Sequence, residues 1–256
     1  MIIYEQPLNE KIRLFMRLEH MFDRFDHYVA EPSEINSQTA IELLLELHEM
    51  SSRLDVKSAI LKIIDHQTTV IKSFHGNDEI VEDQKNSIIT ILEEKTKELY
   101  SFHGQFGQYM KHHSFLNFVK QRLSVSGGLN AFDAPIFNLW LNQPAEMRTE
   151  QLNLWIEPYQ KSREAIKLVM ELIRKSADQH EHVAEDGFFQ STLRTGVNSK
   201  NYQLLRVHLP KSYSYYPEIS AGTQRFSIRF VNVEDLAERG KQVQDDVSFS
   251  LSICGF

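Results

Sequence analysis

Apolar residues recur first with a helical period. From Leu8 to about Val29 they fall at Leu8, Ile12, Phe15, Phe22 and Val29, with Leu14, Leu18, Met21 and Phe25 widening the stripe beyond half the circumference. Such a helix is largely buried. Only a narrow polar edge is left, and on it Arg13, Arg17, His20 and Arg24 lie within about 60° of one another. The same period predicts helices over Thr39 to Met50, Val56 to Phe74 and Asp78 to Phe102, with Asp55 and Asn77 as N-caps. The short break His75-Gly76-Asn77 between the last two predicts an antiparallel helical hairpin, projecting as an arm. Further helix is expected over Ser114 to Leu123, Ala134 to Leu141 and Gln151 to Ala177.

After about Asp186 the period changes from 3.6 to 2. Leu205, Val207 and Leu209 alternate with Arg206 and His208; Phe226, Ile228 and Phe230 alternate with Arg225, Ser227 and Arg229; Val247, Phe249, Leu251 and Ile253 alternate with serines. These are strands with one wet face. Gly187 to Gln190 and Ile2 to Glu5 can add two more. The expected class is therefore α+β: a mainly helical domain over 7–182 with its hairpin arm, and an antiparallel β-sheet domain over 183–256 that strand 1–6 can join.

At 256 residues, with 41% hydrophobic and 25% charged, the chain is long enough to bury a core without staples. No apolar run approaches a membrane span, and Glu5, Asn9 and Glu10 interrupt any signal-peptide core, so a cytoplasmic protein without membrane contact is expected. The single cysteine, Cys254, excludes an intramolecular disulfide and any CxxC site.

Net charge is −7, but it is unevenly distributed. Residues 101–132 hold no acid, and residues 187–233 hold only Glu218. Together these stretches carry nine of the 28 basic residues and one of the 35 acids. The sequence describes an acidic body with basic patches.

Catalytic chemistry is thinly represented. His112-His113 and His180-Glu181-His182 lack the HExxH spacing and read as solvated or packing histidines, while Cys254 continues a strand alternation and reads as structural. Backbone amides at Gly127-Gly128 could meet an anion, but with neither GK[ST] nor GxGxxG around it the pair reads as a turn between helices. No metal, cofactor or enzyme activity is expected. What remains is cationic: Arg13, Arg17 and Arg24 on helix one, Lys120 and Arg122 before the glycine turn, Arg206, and Arg225 with Arg229 on one strand face. The last two stand about 13 Å apart at ~3.3 Å per residue, which suits an extended acidic peptide better than one phosphate. Two other readings use the same chain: a nucleic-acid binder with Tyr213, Tyr215 and Tyr216 as stacking groups, which the net charge of −7 disfavours, and a small-molecule enzyme.

Several blocks carry a resemblance. YEQPLNEKIRLFMRLE, QRLSVSGGLNAFDAPIFNLWL, LIRKSA, GFFQ, LLRVHL and YPEISAGTQRFSIRF, in this order over nearly the whole chain, resemble the ZapD family of FtsZ-associated cell-division proteins. The resemblance implies a bacterial cytoplasmic homodimer with an α-helical and a β domain. Such a dimer binds the FtsZ C-terminal tail, cross-links protofilaments and supports the division ring at midcell. It also carries the family's basic peptide-binding surface onto Arg17, Arg122, Arg225 and Arg229. Asn138 and Asn142 stand where the family pattern has histidines, so no basic contribution is expected there. Arg194 to Asn201 and Glu234 to Gln244 fit the pattern poorly and receive no role.

Overall fold

The computed structural model describes residues 1–53, 55–73, 79–102, 104, 106–193 and 201–256. The chain packs as two compact units, Met16–Val169 and Met1–Phe15 with Met170–Phe256. Its class is α+β.

The helical unit is built from α1 (Glu10–Ala30), α2 (Glu34–Arg53), α3 (Val56–Ser73), α4 (Glu79–Ser101), α5 (Ser114–Leu123), α6 (Pro135–Leu141), α7 (Ala145–Ile156) and α8 (Gln160–Lys175), of which α1 begins and α8 ends in the other unit. Side-chain caps set several starts. Asn9 Oδ1 accepts from Ile12 N at 3.0 Å, Ser33 Oγ from Asn36 N at 3.1 Å, and Asp55 Oδ1 from Ser58 N at 3.0 Å. The Ser33 cap explains why α2 begins ahead of Thr39. On α1 the predicted stripe is the buried one: Ile12, Phe15, Leu18, Met21, Phe22 and Phe25 are all 6% exposed or less.

Helices α3 and α4 pair antiparallel, because Lys57 near the start of α3 donates to Phe102 O at 2.7 Å while Lys72 at its end meets Glu93 at 2.8 Å. The His75-Gly76-Asn77 break and the Asn77 cap lie outside the described residues. The continuous helix expected over Gln151 to Ala177 is interrupted by a 3-10 turn at Glu157–Tyr159. Pro158 has no N–H for the ladder and its ring clashes with the preceding turn, so α7 and α8 are separate helices.

The second unit is antiparallel throughout. Its strands are β1 (Ile2–Pro7), β2 (His180–Ala184), β3 (Phe188–Thr192), β4 (Tyr202–Leu209), β5 (Tyr215–Ala221), β6 (Arg225–Asn232), β7 (Lys241–Gln242) and β8 (Val247–Gly255). They form two sheets, β1-β4-β8-β2 and β3-β6-β5, with β7 continuing beside the end of β6. Leu205, Val207, Leu209, Phe249 and Leu251 of the first sheet share one core with Phe226, Ile228 and Phe230 of the second. β1 does join a sheet, pairing Ile2 with Leu209 through to Pro7 with Leu204.

One expected wet face is dry. Ser250 and Ser252 on β8 are 5% and 3% exposed, because β8 is an inner strand and the end of α8 lies over this face. Cys254 Sγ lies 3.9 Å from Arg174 O, and Ser176 Oγ accepts from Gly255 N at 2.8 Å. The buried hydroxyls find partners: Ser250 Oγ donates to Glu181 Oε1 at 2.6 Å, and Ser252 Oγ lies 3.4 Å from His208 Nε2.

Three histidines are held below their ordinary pKa. Burial is the main cause for His208, with Arg206 adding to it and Glu5 and Glu181 opposing; for His48 it is burial, then Lys120 and Lys111; for His113 it is burial. His113 Nδ1 also accepts from Leu116 N at 3.3 Å as the cap of α5, a bond only the unprotonated nitrogen makes. Below about pH 6.5 the unfolded chain takes up these protons before the native one does. Stability should therefore be full above that pH and decline as pH falls through it. Thermal melts at pH 7.5 and 5.5 check this; equal midpoints would refute it.

Candidate surface for an acidic partner

The predicted basic residues sit in four settings. On α1, Arg17, His20 and Arg24 are exposed along one side, and Arg17 and Arg24 have no ion pair among the described residues; Arg13 is held by Glu10 at 3.2 Å. On the last turn of α5, Lys120 is exposed, and the Arg122 guanidinium lies 5.5 Å over the Phe118 ring with no carboxylate on it among the described residues. That placement also suits the negative end of the helix dipole.

The turn that follows is structural. A Cβ at Gly128 would stand 2.2 Å from Arg122 O and 3.0 Å from Val125 O, so glycine is there to let the chain fold back over carbonyls. Carbonyl oxygens repel an anion.

The third setting is the second sheet, where β6 is the middle strand. Phe226, Ile228 and Phe230 point into the core, which puts Arg225, Ser227 and Arg229 on the open face. Register completes that face in rows: Phe188, Arg229 and Glu218; Gln190, Ser227 and Ser220; Thr192 beside Arg225. Arg229 Nε donates to Glu218 Oε2 at 3.1 Å, and Nη2 contacts the same oxygen. Both side chains are nearly half exposed, so the pair is worth only ~0.2–1 kcal/mol. Arg225 is exposed and has no ion pair among the described residues.

Arg206 occupies the fourth setting and is held within its own unit. Glu5 Oε1 accepts from Arg206 Nε and from Arg174 Nε, each at 2.9 Å, on the sheet face beneath the end of α8.

The histidine motifs have packing and bonding roles here. His182 lies 5.0 Å from the Phe189 ring and 5.8 Å from Phe249, while His113 caps α5. Tyr213 and Tyr215 pack against each other at 4.6 Å and onto the sandwich core, so of the three tyrosines only Tyr216 is exposed for stacking on a base. Cys254 is buried, and burial pushes its thiol up to about 11, which leaves it inert.

The sequence reading missed an apolar strip at α6. Ile136 and Leu139, three residues apart on α6, are 50% and 67% exposed, and Phe132 in the turn before the helix is 84% exposed, while Phe137 and Trp140 fill the core from the other side. The signal was present in PIFNLWL, a helix apolar on both sides, one of which had to face outward.

A helical unit and a unit of two antiparallel sheets, with basic groups on the surface of both, define an α+β protein. The chain belongs to the ZapD family of cell division proteins, whose pattern matches residues 16–229. It is 33% identical over 254 residues to the cell division protein ZapD of Azoarcus sp. (strain BH72), covering 99% of each chain. It is 32% identical over 257 residues to that of Ralstonia pickettii (strain 12J), covering both completely, and 31% identical to that of Nitrosomonas europaea over 99% of this chain and 95% of the relative. Membership places the protein in cell division, and these relatives are named for that process and for no enzymatic reaction. No helix among the described residues is long and apolar enough to cross a membrane.

Proposed function

We propose that this protein binds the acidic C-terminal tail of FtsZ and, as a cytoplasmic homodimer recruited to midcell, cross-links FtsZ protofilaments in support of the division ring. The candidate tail contacts are Arg17 and Arg122 on the helical unit and Arg225 and Arg229 on the β unit, with Arg24 and Lys120 adding positive charge, whereas Arg13 and Arg206 are already met by Glu10 and Glu5. The observation that carries the reading is the open face of β6, where Arg225 and Arg229 project together from a middle strand about 13 Å apart at ~3.3 Å per residue. Family membership supplies the process, and the resemblance of the blocks that contain these arginines supplies the partner.

Bundling follows from valence. A symmetric dimer presents two tail sites, and a filament displays many tails, so weak contacts gain through effective concentration once both sites engage. The exposed strip of Phe132, Ile136 and Leu139 is the kind of surface a second protomer covers.

Co-sedimentation with polymerised FtsZ, with and without its tail, tests the reading: binding and bundling should require the tail. Arg225→Glu and Arg17→Glu should each weaken tail-peptide binding by about tenfold to a hundredfold, since a lost charge-assisted hydrogen bond is worth ~1.5–3 kcal/mol, with melts unchanged because both side chains are exposed. Calorimetry giving wild-type affinity for both would overturn the assignment. Raising salt from 0.1 M to 1 M should weaken binding as the Debye length falls from ~10 to ~3 Å. Sedimentation should give twice the 29.9 kDa chain mass.

A further inference from the structure

Glu218 is the sole acid between residues 187 and 233, and it lies directly across from Arg229. The open face of the second sheet otherwise carries Phe188, Gln190 and Thr192 from β3, Arg225, Ser227 and Arg229 from β6, and Tyr216 and Ser220 from β5. Its charge is therefore +1 with Glu218 and +2 without it. An ion pair this exposed, 40% and 46% by side chain, adds little to the fold. It decides instead which cation is free. Arg225 meets an incoming carboxylate unpaired, whereas Arg229 is already satisfied by its own strand neighbour.

We propose that Glu218 is an affinity- and specificity-determining residue of this face, an internal carboxylate that a peptide displaces only when it takes Arg229 as well as Arg225. The inference rests on the acidic-tail reading above. A peptide with one carboxylate binds Arg225 and leaves the Glu218 pair intact. One with a second carboxylate about 13 Å along an extended chain, four residues on, can exchange its own group for that of Glu218. Phe188 completes the row on the other side of Arg229, so Glu218 is the one carboxylate directly across from the guanidinium.

The test is a double-mutant cycle on the full chain, with affinity for the FtsZ tail peptide measured for wild type, Glu218→Gln, Arg229→Gln and the double variant. Glu218→Gln should tighten binding about threefold to fivefold, the equilibrium equivalent of one exposed ion pair, and the gain should vanish in the Arg229→Gln background. Glu218→Ala should reproduce it, which separates loss of charge from a change in hydrogen bonding. Equal tightening in both backgrounds would show a general field effect and overturn the proposal, as would no tightening at all. A wild-type protein that does not bind the tail peptide overturns the acidic-tail reading and this inference with it.

Discussion

Replacing Arg148 by alanine should lower the unfolding free energy by about 3–5 kcal/mol, since each buried acceptor left without a donor costs ~1–3 kcal/mol and several are uncovered at once. Arg148 is 5% exposed, and no carboxylate meets it among the described residues. Its guanidinium is satisfied by oxygen dipoles: Nε donates to Ser37 Oγ at 3.1 Å, Nη1 to Leu141 O at 2.9 Å and to Gln143 O, and Nη2 to Pro32 O at 3.2 Å. Those acceptors belong to the start of α2, the end of α6 and the segment entering α7. Leu141 O sits at the negative end of α6, which favours a cation there. Alanine would leave these carbonyls without a donor in a site too enclosed for easy hydration, and methionine would fill the volume without restoring a single bond. Urea titrations of both variants check this. A loss under about 1 kcal/mol for alanine would show that the three segments hold together without the guanidinium.

The second large effect is at Gly107. Its φ is +70°, and a Cβ there would stand within 1.8 Å of Tyr159 Oη and 3.0 Å of His48 Nδ1. Tyr159 is 1% exposed, and His48 holds its hydroxyl at 3.1 Å, so the ring has no vacant direction in which to retreat. Burial pushes that hydroxyl up to about 12, so it remains protonated at working pH. Gly107→Ala should cost about 2–4 kcal/mol, from ~1 for a left-handed alanine and ~1–3 for overpacking. Gly127→Ala is the matched control, with the same backbone region at φ +69° and nothing within 4 Å of the added methyl, and it should cost only ~1 kcal/mol. Equal losses in the two variants would show that contact with Tyr159 contributes nothing.

Local pattern carried much of this architecture. Period-2 alternation placed Arg225 and Arg229 on the side of β6 opposite Phe226, Ile228 and Phe230, where they stand. It could not say which strands share a sheet, because inward and outward positions look alike in either sheet, and the division into two sheets over one core is a long-range outcome. The same limit hid the Glu218–Arg229 pair, which depends on register, and the dry serines of β8, which depend on α8 lying over them. The single helix expected across Pro158 came from following apolar period past a residue that ends helices. Arg148 looks in sequence like any surface arginine. Its burial is fixed by backbone carbonyls, and no side-chain pattern reports those.

The position of β1 sets a schedule for synthesis. Ile2 pairs with Leu209, so this strand waits for a partner made roughly 200 residues later, which takes about 10–40 s at ~5–20 residues per second. Met16–Val169 lies wholly inside that interval and can finish folding while the chain still grows. Meanwhile the apolar stretch around Ile2, Ile3 and Tyr4 has no ladder partner and is open to any chaperone that grips unpaired backbone. Completion of the first sheet is thus paced by the ribosome.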